Sequence, residues 1–171
     1  MWARKSYKKR SYSSEPRELS ESIPDAVNFM VGLLSKREFS AKELREKTLK
    51  RYTEIATDEA LLICQQRGYQ SEQRYAEMLV RHMEFALYGP MKLQFEARRK
   101  GVDLELVREA SAEVNWEELA YDALVKKYGE QELEYEQRQK ALAFLARRGF
   151  AAGTCIKAME ELKRRLDEAE E

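Results

Sequence analysis

Glycine and proline are scarce: seven and three among 171 residues. So few chain breakers leave little room for long irregular loops. Histidine is almost absent, with His82 alone, so no pair of imidazoles is available for a metal. Two cysteines, Cys64 and Cys155, stand far apart with no CxxC partner, and both fall at apolar helical positions. They read as buried, reduced thiols rather than as a disulfide or a zinc site. No apolar run approaches the ~18 residues of a membrane span. No glycine-rich phosphate loop exists: Gly149 and Gly153 lie four apart, but no GK[ST] follows. Net charge is absent too, with 31 basic residues against 31 acidic ones. A generic polyanion binder carries a basic excess, so any such surface here needs segregated charge. No pattern of period two marks a strand.

What is abundant is charge, 36% of residues, on a chain that is still 43% hydrophobic. Residues 1–22 interleave Arg4, Lys5, Lys8, Lys9 and Arg10 with Trp2, Tyr7 and Tyr12, without any helical or strand period. They read as a flexible basic arm, either a solubilising tail or a nucleic-acid contact. From Ser22 onward the pattern is helical. Ser22 is a candidate N-cap with Pro24 in the first turn, and Val27, Met30, Val31 and Leu34 follow the i, i+3, i+4, i+7 rule. Ser40 and Glu43 form a capping box for a second helix. A third is expected at Thr57–Arg67 and a fourth at Glu72–Leu87, with Tyr75, Leu79, His82, Met83 and Ala86 on one face. That placement makes His82 a partly buried structural histidine. Gly89-Pro90 opens a fifth helix ending at Lys100, Asp103 caps a sixth, and Asn115 caps a seventh with a Trp116, Leu119, Ala120, Ala123, Leu124 stripe. The eighth spans Leu133–Arg148 and the ninth Ala152–Leu166.

Nine helices divide into three groups of three, 24–67, 71–112 and 115–168. Units this small rarely hold a core alone and need their neighbours. The fold class expected is therefore all-α, with nine helices in three tandem three-helix repeats. A repeated basic–Gly–hydrophobic signature punctuates them: "RGY" at Arg67, "KGV" at Lys100 and "RGF" at Arg148. Gly68, Gly101 and Gly149 fit the left-handed C′ position of a helix stop, and Tyr69, Val102 and Phe150 the hydrophobic C″. Basic residues before them favour the negative helix end. A looser copy, "KREF", has Glu38 where glycine would stand, so its stop should be less sharp. The turn needs the glycine and the hydrophobe; it does not need arginine so consistently.

These absences point away from an enzyme: catalytic residues, cofactors and metal ligands are all expected to be none. The carboxylates read as surface partners of Lys or Arg, for example Glu43–Lys47 and Glu161–Arg165. What remains is a binding surface. Basic residues gather near the turns, while Glu105, Glu109 and Glu113, then Glu130, Glu132, Glu134 and Glu136, gather elsewhere. Such segregation favours a charged interaction face.

Five segments in this order, "LLSKREFSAKELREKTLKR", "RGYQSEQRYAEMLVRHM", "YGPMKLQFEARRKGVDLELV", "LVKKYG" and "ALAFLARRGFAAGTCIKAM", resemble the bacterial RecX regulatory protein family over about Val27 to Leu162. The resemblance implies three tandem three-helix repeats in an elongated, curved array. It implies a modulator of the RecA recombinase. Such proteins bind the RecA–single-stranded DNA filament in its helical groove and suppress recombinase, ATPase and coprotease activities. The presumed contact positions fall here on Arg37, Arg45, Lys47, Arg67, Arg74, Arg81, Arg98, Arg99, Arg147 and Arg148. The reduced cysteines, the lack of a membrane span and the lack of a signal-peptide stretch read separately as a soluble, cytoplasmic protein, expected to be a monomer. Departures from the family pattern are Glu38, the Gln70-Ser71-Glu72 stretch that leaves Ser71 as a cap, and Ala151-Ala152-Gly153, which lacks a polar cap. Two other readings of the residues stay open: a helical adaptor for a globular partner, and a helix–turn–helix DNA-binding protein.

Overall fold

A computed structural model describes residues 18–169. Among these residues nine α-helices account for the regular structure. They are α1 (Ile23–Leu34), α2 (Ala41–Thr48), α3 (Glu54–Gln66), α4 (Glu72–Phe85), α5 (Pro90–Lys100), α6 (Leu104–Ala110), α7 (Trp116–Tyr128), α8 (Tyr135–Arg147) and α9 (Ala152–Ala169).

The caps explain why the helices start where they do. Ser22, Ser40, Thr53, Ser71, Asp103 and Asn115 each accept a backbone N–H from the first turn of the helix they precede. Thr53 therefore starts α3 earlier than the expected Thr57. Glu134, in a capping box with Gln137, starts α8 at Tyr135 rather than Leu133. The expected arm 1–22 falls mostly outside the described residues. Its end is tied down: Ser20 donates its N–H to the Arg51 carbonyl at 3.0 Å and accepts from the Thr53 N–H at 2.9 Å.

Three cores form, one per helix triplet. Met30, Leu44, Ala60 and Cys64 centre the first. Tyr75, Leu79, Val80, Met83 and Leu93 centre the second. Leu124, Leu145, Phe150, Cys155 and Leu162 centre the third. The buried face of α4 is Tyr75, Ala76, Leu79, Val80 and Met83. His82 is exposed, contrary to the sequence expectation. It sits in the last turn of α4, at the edge of the arc that Tyr75, Ala76, Leu79, Val80 and Met83 bury, so its side chain stays in solvent.

The glycine stops are present. Gly68, Gly101 and Gly149 have φ of +68°, +71° and +91°. In each, the following residue donates its N–H back into the last helical turn: Tyr69 to Cys64, Val102 to Ala97 and Phe150 to Leu145. Val102 and Phe150 are buried, whereas Tyr69 stays 44% exposed. Glu38 does not stand in for glycine, because α1 has already ended at Leu34. An unforeseen stop follows α4, where Leu87 takes φ +56° and Tyr88 donates to Met83. A leucine there costs ~1–2 kcal/mol. Its side chain is packed against the third core.

The middle helices of successive units meet end to end. At the N-terminus of α2, Ser40 Oγ donates to the Lys100 carbonyl (2.8 Å) and Lys42 Nζ to the Arg99 carbonyl (3.1 Å). At the N-terminus of α5, the Gly89 N–H donates to the Arg148 carbonyl (2.8 Å) and the Met91 N–H to the Gly149 carbonyl (3.0 Å). Positive helix starts thus face negative helix ends at both joints.

Candidate partner-binding surface

The ten basic candidates divide by what their head groups already hold. Three serve the fold. Arg45 donates 2.7 Å to Asp58 and also pairs with Glu54, clamping α2 to α3; these partners hold its pKa above the ordinary range. Arg74 donates to the Gly68 and Tyr69 carbonyls at 3.0 and 2.8 Å, closing the end of α3, and to Glu38 at 2.8 Å. Arg148 is half-buried. It reaches the Ala86 and Leu87 carbonyls at 2.5 and 3.2 Å and lies 5.0 Å from the ring centroids of Tyr88 and Phe144. The arginine that the third glycine turn did not need thus satisfies the carbonyl end of α4, in another unit.

Two more are partly engaged. Arg37 stacks 3.7 Å over the Phe39 ring and lies 3.6 Å from Glu43. Arg99 donates 2.8 Å to Glu96. Burial works to raise the Glu96 pKa, but Arg99 and Lys92 hold it below the ordinary carboxylate value.

The remaining five are exposed and, among the described residues, have no carboxylate partner: Lys47, Arg67, Arg81, Arg98 and Arg147. Lys47 and Arg67 lie on the first unit, Arg81 and Arg98 on the second, Arg147 on the third. Lys47 also lies 5.7 Å from the Phe39 ring centroid; a cation with no carboxylate partner has no ion pair to break before it meets an anion.

Apolar side chains accompany these cations, and a reading of inward-facing stripes alone passes over them. Phe85 is 88% exposed, one turn beyond Arg81. Met91 and Phe95 are 60% and 57% exposed, and with Arg98 they recur at i, i+4 and i+7 on α5. Arginine, aromatics and methionine are the residue types enriched at protein interfaces. A sequence signal existed: positions 91, 95 and 98 form a second helical stripe, offset from the buried pair Leu93 and Ala97.

The acidic side is differently used. Glu43, expected to be a surface partner of Lys47, is buried and pairs with Lys100. Glu161 does pair with Arg165 at 2.6 Å, and with Arg164; together they hold its pKa at about 2. Cys64 and Cys155 are buried, and burial pushes both thiols up, as inert core thiols require. Among the described residues no cluster of His, Cys, Asp and Glu is arranged to hold a metal, and no helix is long and apolar enough to cross a membrane.

Comparison with known proteins gives a consistent picture. The family description "RecX, second three-helix domain" matches residues 71–110, and "RecX, third three-helix domain" matches 115–159. Regulatory protein RecX of Legionella pneumophila (strain Corby) is 35% identical over 142 residues, covering 81% of this chain and 95% of the relative. Regulatory protein RecX of Xanthomonas axonopodis pv. citri (strain 306) is 38% identical over 146 residues, covering 83% and 88%. Among solved structures, RecX from Lactobacillus salivarius superposes with a TM-score of 0.69 at 20% identity, covering 82% of this chain and 96% of that one. At that identity the superposition speaks for the fold.

Proposed function

This chain belongs to the RecX family, and from that premise we propose that it is a regulator that binds the RecA–single-stranded DNA filament in its helical groove and suppresses the filament's recombinase, ATPase and coprotease activities. In this reading it acts in the cytoplasm as a monomer, without cofactor or catalytic step. The observation that carries the reading is the set of exposed cations that, among the described residues, have no carboxylate partner, Lys47, Arg67, Arg81, Arg98 and Arg147, spread over all three units. A filament repeats the same acidic protein and phosphate features along its length. An elongated, curved array of three units, 24–67, 71–112 and 115–168, meets several of those features together. Each contact is then weak while the sum is strong, because later contacts form at high effective concentration.

Of the ten basic residues, Arg45, Arg74 and Arg148 hold the fold, so their removal tests stability rather than binding. The informative variant is Arg81→Glu, Arg98→Glu, Arg147→Glu. It should keep wild-type helicity and lose most of its inhibition of RecA ATPase on single-stranded DNA. The wild type should itself weaken as salt rises, since exposed charges are screened. A control, Glu109→Lys with Glu113→Lys, alters exposed acidic positions and should inhibit normally. Full inhibition by a well-folded triple variant would move the contact to Phe85, Met91 and Phe95. A protein that ignores the filament and captures one globular partner would instead be an adaptor. Tight, sequence-selective binding to duplex alone would make it a DNA reader.

A further inference from the structure

The two joints between units are built from different materials. At the second joint partly buried apolar side chains bridge the two cores. Trp116 packs against both the second and the third core, and Leu87 leaves the second unit to pack on the third. Two backbone hydrogen bonds cross it, from Gly89 to Arg148 and from Met91 to Gly149. The backbones touch so closely that a Cβ on Gly89 would lie 2.3 Å from the Gly149 carbonyl oxygen. Arg148 seals the edge between Tyr88 and Phe144.

At the first joint none of this is found among the described residues. Every hydrophobic residue of the first core comes from the first unit, and none of that unit's residues packs on the second core. No backbone-to-backbone hydrogen bond runs from the first triplet to the second. Polar side chains make the crossing instead. Ala41 N–H donates to Glu72 (2.6 Å), Gln70 Nε2 to the Phe39 carbonyl (3.3 Å), Arg74 to Glu38 (2.8 Å), and Lys100 pairs with Glu43. Among the described residues, Glu38 and Glu72 each keep one buried carboxylate oxygen without a partner. A groove of about 240 Å³ opens along the seam, with Lys42 and Lys47 on one wall and Arg99 and Lys100 on the other.

We infer that the first joint is an electrostatic hinge, whereas the second is a rigid weld, so the second and third units move as one body and the first swings against them. Apolar burial and close backbone packing resist separation because exposing them gains nothing from water. Charged side chains exchange a partner for water at little net cost, and salt screens what attraction remains. The two orphan carboxylate oxygens regain hydrogen bonds when the first joint opens. The first unit keeps its own closed core on either side of the motion. This inference stands apart from the identity of the partner, since it rests on the two joints alone.

Paired spin labels on the full chain test it. Glu59→Cys with Gln94→Cys reports across the first joint, and Gln94→Cys with Lys140→Cys across the second; the buried native thiols stay unlabelled. The expected result is a second, longer-distance population for the 59/94 pair at high salt. The same population should appear at low salt when Glu38→Gln and Glu43→Gln are introduced. The 94/140 pair should keep one narrow distribution throughout. Cys64, in the core of the first unit, should remain unreactive to a thiol reagent. A 59/94 distribution as narrow as 94/140 in high salt and in the charge-neutralised variant would overturn the hinge. Broadening of both pairs together would overturn the distinction between the joints. Exposure of Cys64 would mean that the first unit unfolds rather than swings, and would overturn it as well.

Discussion

Replacing Gly149 with alanine separates two costs that a glycine turn usually merges. The first is conformational. Gly149 holds φ +91°, where a side chain costs ~1–2 kcal/mol. The second is contact. A Cβ there would stand 2.5 Å from the Lys92 amide nitrogen and 3.1 Å from its Cα. Backbone cannot yield as a side chain does, so the end of α8 must back away from α5. That movement strains the hydrogen bonds from Gly89 and Met91, worth ~1 kcal/mol each. The sum is about 3 kcal/mol, or roughly 6–12 °C in Tm for a chain of this size.

Gly68→Ala supplies the reference. Its φ is +68° but its Cβ meets nothing within 4 Å, so only the conformational cost applies, about 1 kcal/mol. Gly101→Ala belongs with it, because its Cβ meets only the flexible Lys42 side chain, at 3.0 Å. Gly89→Ala completes the set: its φ is −83°, so it incurs the contact cost without the conformational one. Thermal and urea unfolding of the four variants should rank Gly149 as the most costly, with Gly89 also clearly destabilised. If Gly149→Ala loses no more than Gly68→Ala, the close backbone joint is not what stabilises the second and third units, and the weld argument fails with it.

Other outcomes follow from single groups. Arg148→Ala should lower stability by about 2 kcal/mol while leaving helix content unchanged, because it strands the Ala86 and Leu87 carbonyls; Arg147→Ala beside it should be nearly silent in the same unfolding curve. Ser40→Ala should cost about 1 kcal/mol by urea unfolding, for it removes both the α2 cap and the bond to Lys100. Glu43 gives a pH signature. Burial raises its pKa, but Lys100, Tyr75 and Arg37 outweigh burial and leave it below its ordinary 4.5. A lowered folded pKa means the stabilisation is complete above about 4.5 and fades as pH falls through the folded value. Acid titration of the wild type should therefore show a loss below 4.5 that is smaller in Glu43→Gln.

Features decided within one helical turn were legible from the residues alone. Ser22, Ser40, Ser71, Asp103 and Asn115 cap the helices they were expected to cap, because a cap needs only a short polar side chain and an N–H two or three residues on. The glycine stops were legible for the same reason, since positive φ is a local demand. Leu87 was not, because its left-handed conformation is sustained by the third core and by Arg148, both contributed by distant sequence. His82 and Glu43 failed in the same way. Each satisfied a helical spacing rule, i+7 from Tyr75 and i−4 from Lys47, and in each a tertiary contact or its absence decided the outcome.

The basic residues show where that boundary lies for function. Sequence puts Arg147 and Arg148 side by side before Gly149, with equal charge and equal claim to a partner. The fold gives them opposite work. Helical geometry turns neighbouring residues about 100° apart, so one head group enters the joint and the other stays in water. Arg148 is spent on the α4 carbonyls, while Arg147 is exposed with no carboxylate partner among the described residues. A charge count therefore overstates the surface by the number of cations that the joints and helix ends consume. What survives, Lys47, Arg67, Arg81, Arg98 and Arg147, is smaller but distributed over every unit, which is the arrangement that the proposed filament contact requires. A chain with no net charge can then still keep exposed cations, because carboxylates and helix-end carbonyls occupy the arginines that hold it together: Arg45 on Asp58 and Glu54, Arg74 on Glu38, Arg148 on Ala86 and Leu87.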